Sequence, residues 1–250
     1  MTAHGQRFAS RINTGSEDFA RNRREHLARI EELGAILNRA RTLSEASRPR
    51  FERRGQLLPR ERLARLLDPG MPFLEIANMA GYLVDDPNPE TSVPGATQIG
   101  GIGFVSGTRC MVQVDDSGIN AGAMTRTSTG KGRRIMDMAL QQQLPFVHLV
   151  ESAGANLLEY EVEMWMAGGG IFARLARLSA AGLPTITVLH GASAAGGAYM
   201  PGMSDYVVGI RGNGKAYLAG PALLKAATGE VADDGGCGLS VCVFIIISYC

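Results

Sequence analysis

Two stretches of small residues hold the positions best suited to chemistry. Residues 151–156 (ESAGAN) follow the apolar run 145–150, and residues 191–199 (GASAAGGAY) follow the apolar run 184–190. In sheets with parallel strands, ligands collect at the carboxyl ends of the strands, where loop N–H groups converge. We therefore interpret both stretches as candidate ligand-binding turns.

The first turn could bind an anion through its backbone. Bulky side chains do not cover Ala153 and Gly154, so we predict that their N–H groups form an oxyanion hole for an enolate. Donors of this kind can be worth about 3–4 kcal/mol of barrier. In the second turn, Ala195, Gly196 and Gly197 would let a backbone or a cofactor approach closely. For both turns the alternative is a tight turn whose small residues only permit a helix to pack on the sheet.

Side chains offer fewer candidates for chemistry than the backbone does. The sequence has no Gly-x-Ser-x-Gly, Walker or GxGxxG motif, and its four cysteines show no zinc-binding or disulfide pattern. His148 and His190 lie on apolar strands, where a core histidine is more common than a catalytic base. We therefore favour a mechanism that works through backbone donors, and we expect no metal site.

The elements around these turns alternate between strands and helices. A helix is predicted from Ser16, its N-cap, to about Leu43, followed by a polar, arginine-rich connector and a short helix over 58–68. A hairpin over 101–117, a helix over 130–143 and a helix over 163–182 surround the apolar strands. We expect the small residues 168–170 to break that last helix or to allow close packing. Repeated strand, turn and helix units predict an α/β fold with a partly parallel sheet.

Composition narrows the function classes. The 250 residues include 25 Lys and Arg against 24 Asp and Glu, so the net charge of +1 provides no general basic surface for nucleic acid. The charge is unevenly distributed along the chain: residues 1–68 contain 15 Arg and 9 acidic residues and are therefore basic, whereas the rest of the chain is acidic. No segment approaches the ~20 apolar residues that span a bilayer. We expect a cytoplasmic protein without membrane or nucleic-acid partners.

Four segments resemble one known family. They are 60–70 (RERLARLLDPG), 144–157 (LPFVHLVESAGANL), 195–205 (AGGAYMPGMSD) and 218–230 (LAGPALLKAATGE). In this order they resemble the carboxyltransferase (β) subunits of biotin-dependent acyl-CoA carboxylases, the methylcrotonyl-CoA, geranyl-CoA and propionyl-CoA group. The resemblance covers the N-terminal half of such a subunit. It implies a crotonase-like α/β superhelical domain over 50–234, with a helical extension over 1–49 and an atypical tail over 235–250.

The resemblance also implies a reaction and its partners. It implies carboxyl transfer from carboxybiotin to an acyl-CoA, with the biotin carried on a partner protein or domain. The expected partners are the acyl-CoA, a biotin carboxylase or biotin carrier subunit, and further copies of the chain. The family's Ser-Gly-Gly oxyanion turn corresponds to Ser152, Ala153 and Gly154. Lys131 and Arg134 match basic positions that would contact CoA phosphates, although exposed helix charges are the alternative.

Two other functions remain open at this point. A crotonase-type hydratase or isomerase would need placed carboxylates as acid and base, and Glu151 and Glu161 are the nearby candidates. The chain could also be an inactive CoA-binding or assembly fragment.

Overall fold

The computed structural model describes residues 9–155, 162–231, 239–240 and 246–247. Within them lie seven α-helices, which are α1 (Glu17–Glu45), α2 (Arg48–Arg53), α3 (Pro59–Leu66), α4 (Arg126–Gln141), α5 (Val162–Ala180), α6 (Gly196–Gly202) and α7 (Pro221–Thr228). The strands are β1 (Leu74–Glu75), β2 (Gln98–Val105), β3 (Thr108–Asp115), β4 (Phe146–Val150), β5 (Thr185–Leu189), β6 (Ala192–Ala194), β7 (Tyr206–Gly209), β8 (Lys215–Tyr217), β9 (Leu239–Ser240) and β10 (Ile246–Ile247).

A seven-stranded sheet of the described residues forms the centre of the fold. Its strand order is β1-β2-β3-β4-β5-β7-β10, and strands β3, β4, β5 and β7 run parallel. Strands β2 and β3 form the predicted antiparallel hairpin. Strands β6, β8 and β9 form a second, smaller sheet. The prediction of an α/β fold with a partly parallel sheet is confirmed.

Alternating residues of the central strands belong to two separate hydrophobic cores. Met111 and Phe146 pack with Leu175 and other residues of α4 and α5 on one face of the sheet. Val112 and Val147 pack with Leu63 of α3 on the other face. Both faces are covered, so the strands carry apolar residues on both sides, as parallel strands usually do, although they also bury Gln113, His148 and Thr187. The sheet is therefore held between α4 and α5 on one side and α3 on the other.

Helix α1 begins as predicted and is fixed to the sheet at its other end. The Ser16 hydroxyl accepts a hydrogen bond from the Phe19 N–H at 3.2 Å, so Ser16 is the N-cap. Most of the helix is exposed, and its buried residues are Ala40 and Ser44. The Ser44 hydroxyl donates to Asp116 at the end of β3, at 2.6 Å. Only the last turns of α1 are thus packed in the described structure.

Two local predictions are wrong, and a third holds in one of its two alternatives. Helix α2 replaces part of the predicted connector, because Phe51 is buried to 2% exposure and Pro49 suits a first helical turn. For residues 168–170 the expectation of close packing is confirmed and that of a break is not, because α5 is continuous there and a Cβ at Gly170 would lie 3.2 Å from Arg133 Cδ on α4. The second small-residue turn contains the short strand β6, which pairs with β8.

The predicted tail falls mostly outside the described residues. Within 235–250, the structure describes only β9, which pairs with β8, and β10, which pairs with β7. The proposed division at residues 49 and 234 stays a prediction. No helix in the described part of the chain combines the length and apolar character needed to cross a membrane.

Candidate functional site

The two small-residue turns meet at the carboxyl ends of neighbouring strands. Strands β4 and β5 are parallel partners, and they lead into 151–155 and 191–197 respectively. The Ala194 N–H donates to the Ser152 carbonyl at 2.9 Å. A Cβ at Gly154 would lie 2.9 Å from the Ala194 oxygen, and one at Gly197 would lie 3.0 Å from the Ser152 Cβ. Small residues are therefore needed where the turns touch.

The predicted oxyanion donors already have protein acceptors. The Ala153 N–H donates to the Ala121 carbonyl at 3.0 Å, and the Gly154 N–H donates to the Ser152 hydroxyl at 3.1 Å. That hydroxyl in turn donates to the Gly122 carbonyl at 2.7 Å. The structure therefore differs from the expectation of two free donors, because a short 3₁₀ helix (Asn120–Gly122) packs against the turn. The oxyanion role of the pair stays a prediction.

The second turn offers backbone N–H groups of a different kind. Gly196 and Gly197 open α6, and within the described residues their N–H groups have no protein acceptor. The N–H groups of Ala198 and Tyr199 both donate to the Ala195 carbonyl, at 2.9 and 3.3 Å. A Cβ at Gly196 would lie 2.8 Å from the Met124 Cε. Because this atom is the end of a flexible side chain, packing alone does not require glycine at position 196.

Two cavities flank the turns. An apolar cavity of about 290 Å³ is lined by Met124, Phe172, Tyr199, Met200 and neighbouring residues. A second cavity of about 410 Å³ is more polar, and its lining includes Arg50, Arg54, Ser117, Glu151 and Ser152. Both cavities are lined by Ala155, Ala195 and Leu218. The turns therefore lie between an apolar space and an arginine-lined space.

Beneath the first turn, Glu151 is held in a buried charged cluster that the sequence analysis missed. Its Oε2 accepts from Arg62 Nη1 at 2.8 Å and from the Ser117 hydroxyl at 2.7 Å. His190 Nδ1 lies 3.7 Å from the same oxygen. Burial, followed by the charge of Arg62, lowers the pKa of His190 well below its ordinary value. The imidazole therefore stays neutral beside the ion pair.

The other candidate side chains are placed as follows. His148 and His190 are buried, as predicted for residues on apolar strands, and their assignment as core histidines instead of catalytic bases stays a prediction. His148 Nε2 lies 3.1 Å from an oxygen of Asp115. Glu161 lies outside the described residues. Among the described residues, no group of three or more His, Cys, Asp and Glu side chains could hold a metal ion.

Neither predicted CoA-phosphate contact lines the cavities. Lys131 is buried to 4% exposure, and its ammonium donates to the carbonyls of Gly95 and Gln98 at 3.1 and 2.6 Å. Arg134 is exposed on α4, outside the lining of both cavities. Their roles toward CoA stay predictions, and the structure instead places Arg50 and Arg54 at a cavity. The helical period around Lys131 could not show its burial, because its acceptors lie on a different element.

Comparisons with known proteins identify the class of this fold and site. The carboxyl transferase domain model matches residues 50–238. The chain is 44% identical over 189 residues to the probable biotin-dependent acyl-coenzyme A carboxylase beta2 subunit of Mycobacterium tuberculosis, covering 76% of this chain and 34% of that protein. It is 35% identical over 239 residues to the probable mitochondrial methylcrotonoyl-CoA carboxylase beta chain of Drosophila melanogaster, covering 92% and 40%.

Similarity to a solved structure supports the same family assignment. The beta subunit of geranyl-CoA carboxylase from P. aeruginosa superposes with a TM-score of 0.81 at 44% identity, covering 92% of this chain and 42% of that chain. The chain belongs to the carboxyl transferase domain family, and the resemblance seen in the sequence is confirmed. It spans 34% to 42% of the length of these relatives.

Replacing Gly154 with alanine should disturb the contact between the turns. Gly154 has a φ of +86°, and its Cβ would lie 2.9 Å from the Ala194 oxygen. We expect Gly154→Ala to lower the free energy of unfolding by about 1–3 kcal/mol. Ala153→Gly is the matched control, because Ala153 is exposed and keeps its N–H. Urea denaturation tests both, and equal stability of the two variants would contradict the argument.

Lys131 should make stability depend on pH. Burial lowers its pKa from 10.5 to about 8, so between these values the unfolded chain binds more protons than the folded chain. Stability therefore rises with pH across this window, by at most about 3 kcal/mol. Lys131→Met should lack this rise. Urea denaturation at pH 8 and pH 10.5 measures the change in the free energy of unfolding of each protein. An equal change in the wild type and in Lys131→Met would contradict the prediction.

Proposed function

We propose that this chain provides the acyl-CoA-binding part of a biotin-dependent carboxyltransferase. In this reaction carboxybiotin gives up CO₂, the acyl-CoA loses a proton to the remaining biotin, and the resulting enolate attacks the CO₂. The observation that carries the proposal is the meeting of two strand-end turns between an apolar cavity and an arginine-lined cavity, in a chain of this family. The names of its relatives, acyl-CoA, methylcrotonoyl-CoA and geranyl-CoA carboxylases, support the same class of substrate.

The apolar cavity suits the acyl group. Its lining is mainly hydrophobic, and the rings of Phe172 and Tyr199 lie with their centroids 5.2 Å apart at its wall. Its volume of about 290 Å³ is close to the lower end of small-molecule sites. An acyl chain in this space would place its thioester at Ala155 and Ala195, the turn residues that line both cavities.

The arginine-lined cavity suits the phosphates of CoA. Arg50 donates to the Ser117 carbonyl at 2.6 Å, and its guanidinium carbon lies 5.4 Å from the centre of the Phe51 ring. These contacts hold Arg50 in place, whereas Arg54 is exposed at the same cavity. Guanidinium groups bind phosphate oxygens through paired hydrogen bonds. We therefore assign the phosphate contacts to Arg50 and Arg54.

The turns would hold the enolate oxygen. The biotin-bound carboxyl group supplies the CO₂. Of the predicted pair, Gly154 would be the better donor. Its N–H now donates to the Ser152 hydroxyl, and if a ligand oxygen took the place of that acceptor, the hydroxyl would keep its own hydrogen bond to the Gly122 carbonyl. The N–H of Gly196, which has no acceptor among the described residues and whose residue lines the apolar cavity, would be a second donor. Two such donors stabilise charge that develops in the reaction.

The proposed reaction needs more than the described residues provide. We propose a crotonase-like superhelical fold, a second half that presents carboxybiotin, a biotin carboxylase or carrier partner, and a homo-oligomer. The chain's share of its relatives' length, 34% to 42%, supports the need for that second half. The chain's membership of the carboxyl transferase family favours carboxyl transfer over the hydratase alternative, and Glu151 Oε2 is bound to Arg62 and Ser117 and is therefore not a free base.

Binding and complementation test the proposed function together. Calorimetry should show that the chain binds 3-methylcrotonyl-CoA and geranyl-CoA more tightly than free CoA, because the acyl group fills the apolar cavity. Labelled bicarbonate should enter the acyl-CoA only when biotin carboxylase, biotin carrier and the C-terminal half of a relative's beta subunit are added. Absence of binding to every CoA ester would refute the proposal. Binding without carboxylation after complementation would identify an inactive CoA-binding fragment.

Arg54→Gln should weaken CoA binding independently of the acyl group. An exposed guanidinium that contacts a phosphate contributes little in solution, so we expect a loss of about three- to tenfold for each CoA ester. Arg53→Gln is the matched control, because Arg53 is exposed on α2 but does not line the cavity. Calorimetry at two salt concentrations measures the effect. Equal losses in both variants would argue against the assignment.

A further inference from the structure

Arg62 of α3 contacts the ends of two neighbouring strands at once. Its Nη1 donates to Glu151 Oε2 at 2.8 Å, directly after β4. The same nitrogen contacts the ring of His190, directly after β5. The side chains of Arg62, Glu151 and His190 are 9%, 6% and 6% exposed. One buried guanidinium therefore joins the residues that open the two turns.

The surroundings leave this cluster little room to move. The guanidinium carbon of Arg62 lies 5.6 Å from the centre of the Phe51 ring, which is itself buried. A Cβ at Gly191 would lie 2.3 Å from the Glu151 Cδ, so the carboxylate is pressed against the start of the second turn. The carboxylate thus lies between Arg62 and Gly191.

We propose that Arg62 is a positioning residue that fixes the turns 151–155 and 191–197 relative to each other. It acts through Glu151 and His190 and does not contact substrate. The inference rests on the proposed function, because these turns are the proposed site of the thioester and enolate. Its consequence is kinetic: loss of Arg62 should impair the placement of the thioester more than it impairs the binding of CoA phosphates, which belong to Arg50 and Arg54.

The variants must separate positioning from folding. Arg62→Met alone leaves the Glu151 carboxylate buried without its cation, which strongly destabilises a protein. The double variant Arg62→Met/Glu151→Gln removes both charges and is expected to fold. Arg62→Lys keeps one positive donor and tests rescue. Arg65→Met is the control, because Arg65 lies on the same helix and is exposed.

Two readouts distinguish this proposal from the proposed function. Hydrogen exchange of the free chain should be faster in peptides covering 151–155 and 191–197 for the double variant, and unchanged for Arg65→Met. In the complemented enzyme, the double variant should lose about a hundredfold in kcat with KM changed far less, as a small misplacement of reacting groups produces. Arg62→Lys should recover part of that loss.

Several results would overturn the proposal. Wild-type exchange in both turns of a folded double variant would show that Arg62 does not fix them. A rise in KM with kcat unchanged would place Arg62 in binding, and failure of the double variant to fold would make it a folding residue. If the wild-type chain binds no CoA ester, the proposed function fails while the exchange experiment still decides whether Arg62 positions the turns.

Discussion

A carboxylate buried at the end of a central strand constrains much of this structure. Removing an ion from water costs several kcal/mol unless close partners replace the solvent. Glu151 meets this requirement with Arg62 from α3 and Ser117 from the segment after β3. The arginine-rich N-terminal region is therefore partly structural, since α3 must cover the sheet where β4 ends. The same contacts bring the residues of the polar cavity together.

The small residues of the two turns do not all serve the same purpose. Gly191 is required by packing, because the Glu151 side chain occupies the space of its Cβ. Gly122, in the 3₁₀ helix that packs against the first turn, has a φ of +66° and lies against the Glu151 carbonyl, so it is also a packing residue. Gly196 instead lines the apolar cavity and has a free N–H within the described structure. The two interpretations of these turns, packing and ligand binding, therefore each apply to different residues.

Local pattern predicted the elements, but not the partners of buried polar groups. Strands β4 and β5, the β2-β3 hairpin and the Ser16 cap follow from apolar runs and from near neighbours in sequence. Local pattern did not predict helix α2 or strand β6, because each depends on a tertiary contact. Helix α2 depends on the burial of Phe51, and β6 depends on its pairing with β8. Arg62 reaches Glu151 across 89 residues and His190 across 128. No spacing in the sequence could show that these residues meet, or that Lys131 turns inward to two carbonyls.

The arrangement of the cavities explains how one ligand could use both. Interactions with remote parts of a substrate help catalysis when they position its reacting group. The residues shared by the cavities are Ala155, Ala195 and Leu218, and the two alanines leave space for a narrow chain to pass over them. A CoA ester held by arginines at one end and by an apolar pocket at the other would then have its thioester at the turns. The precision of that placement depends on how firmly the turns are held, and the buried Arg62–Glu151 pair holds them from beneath.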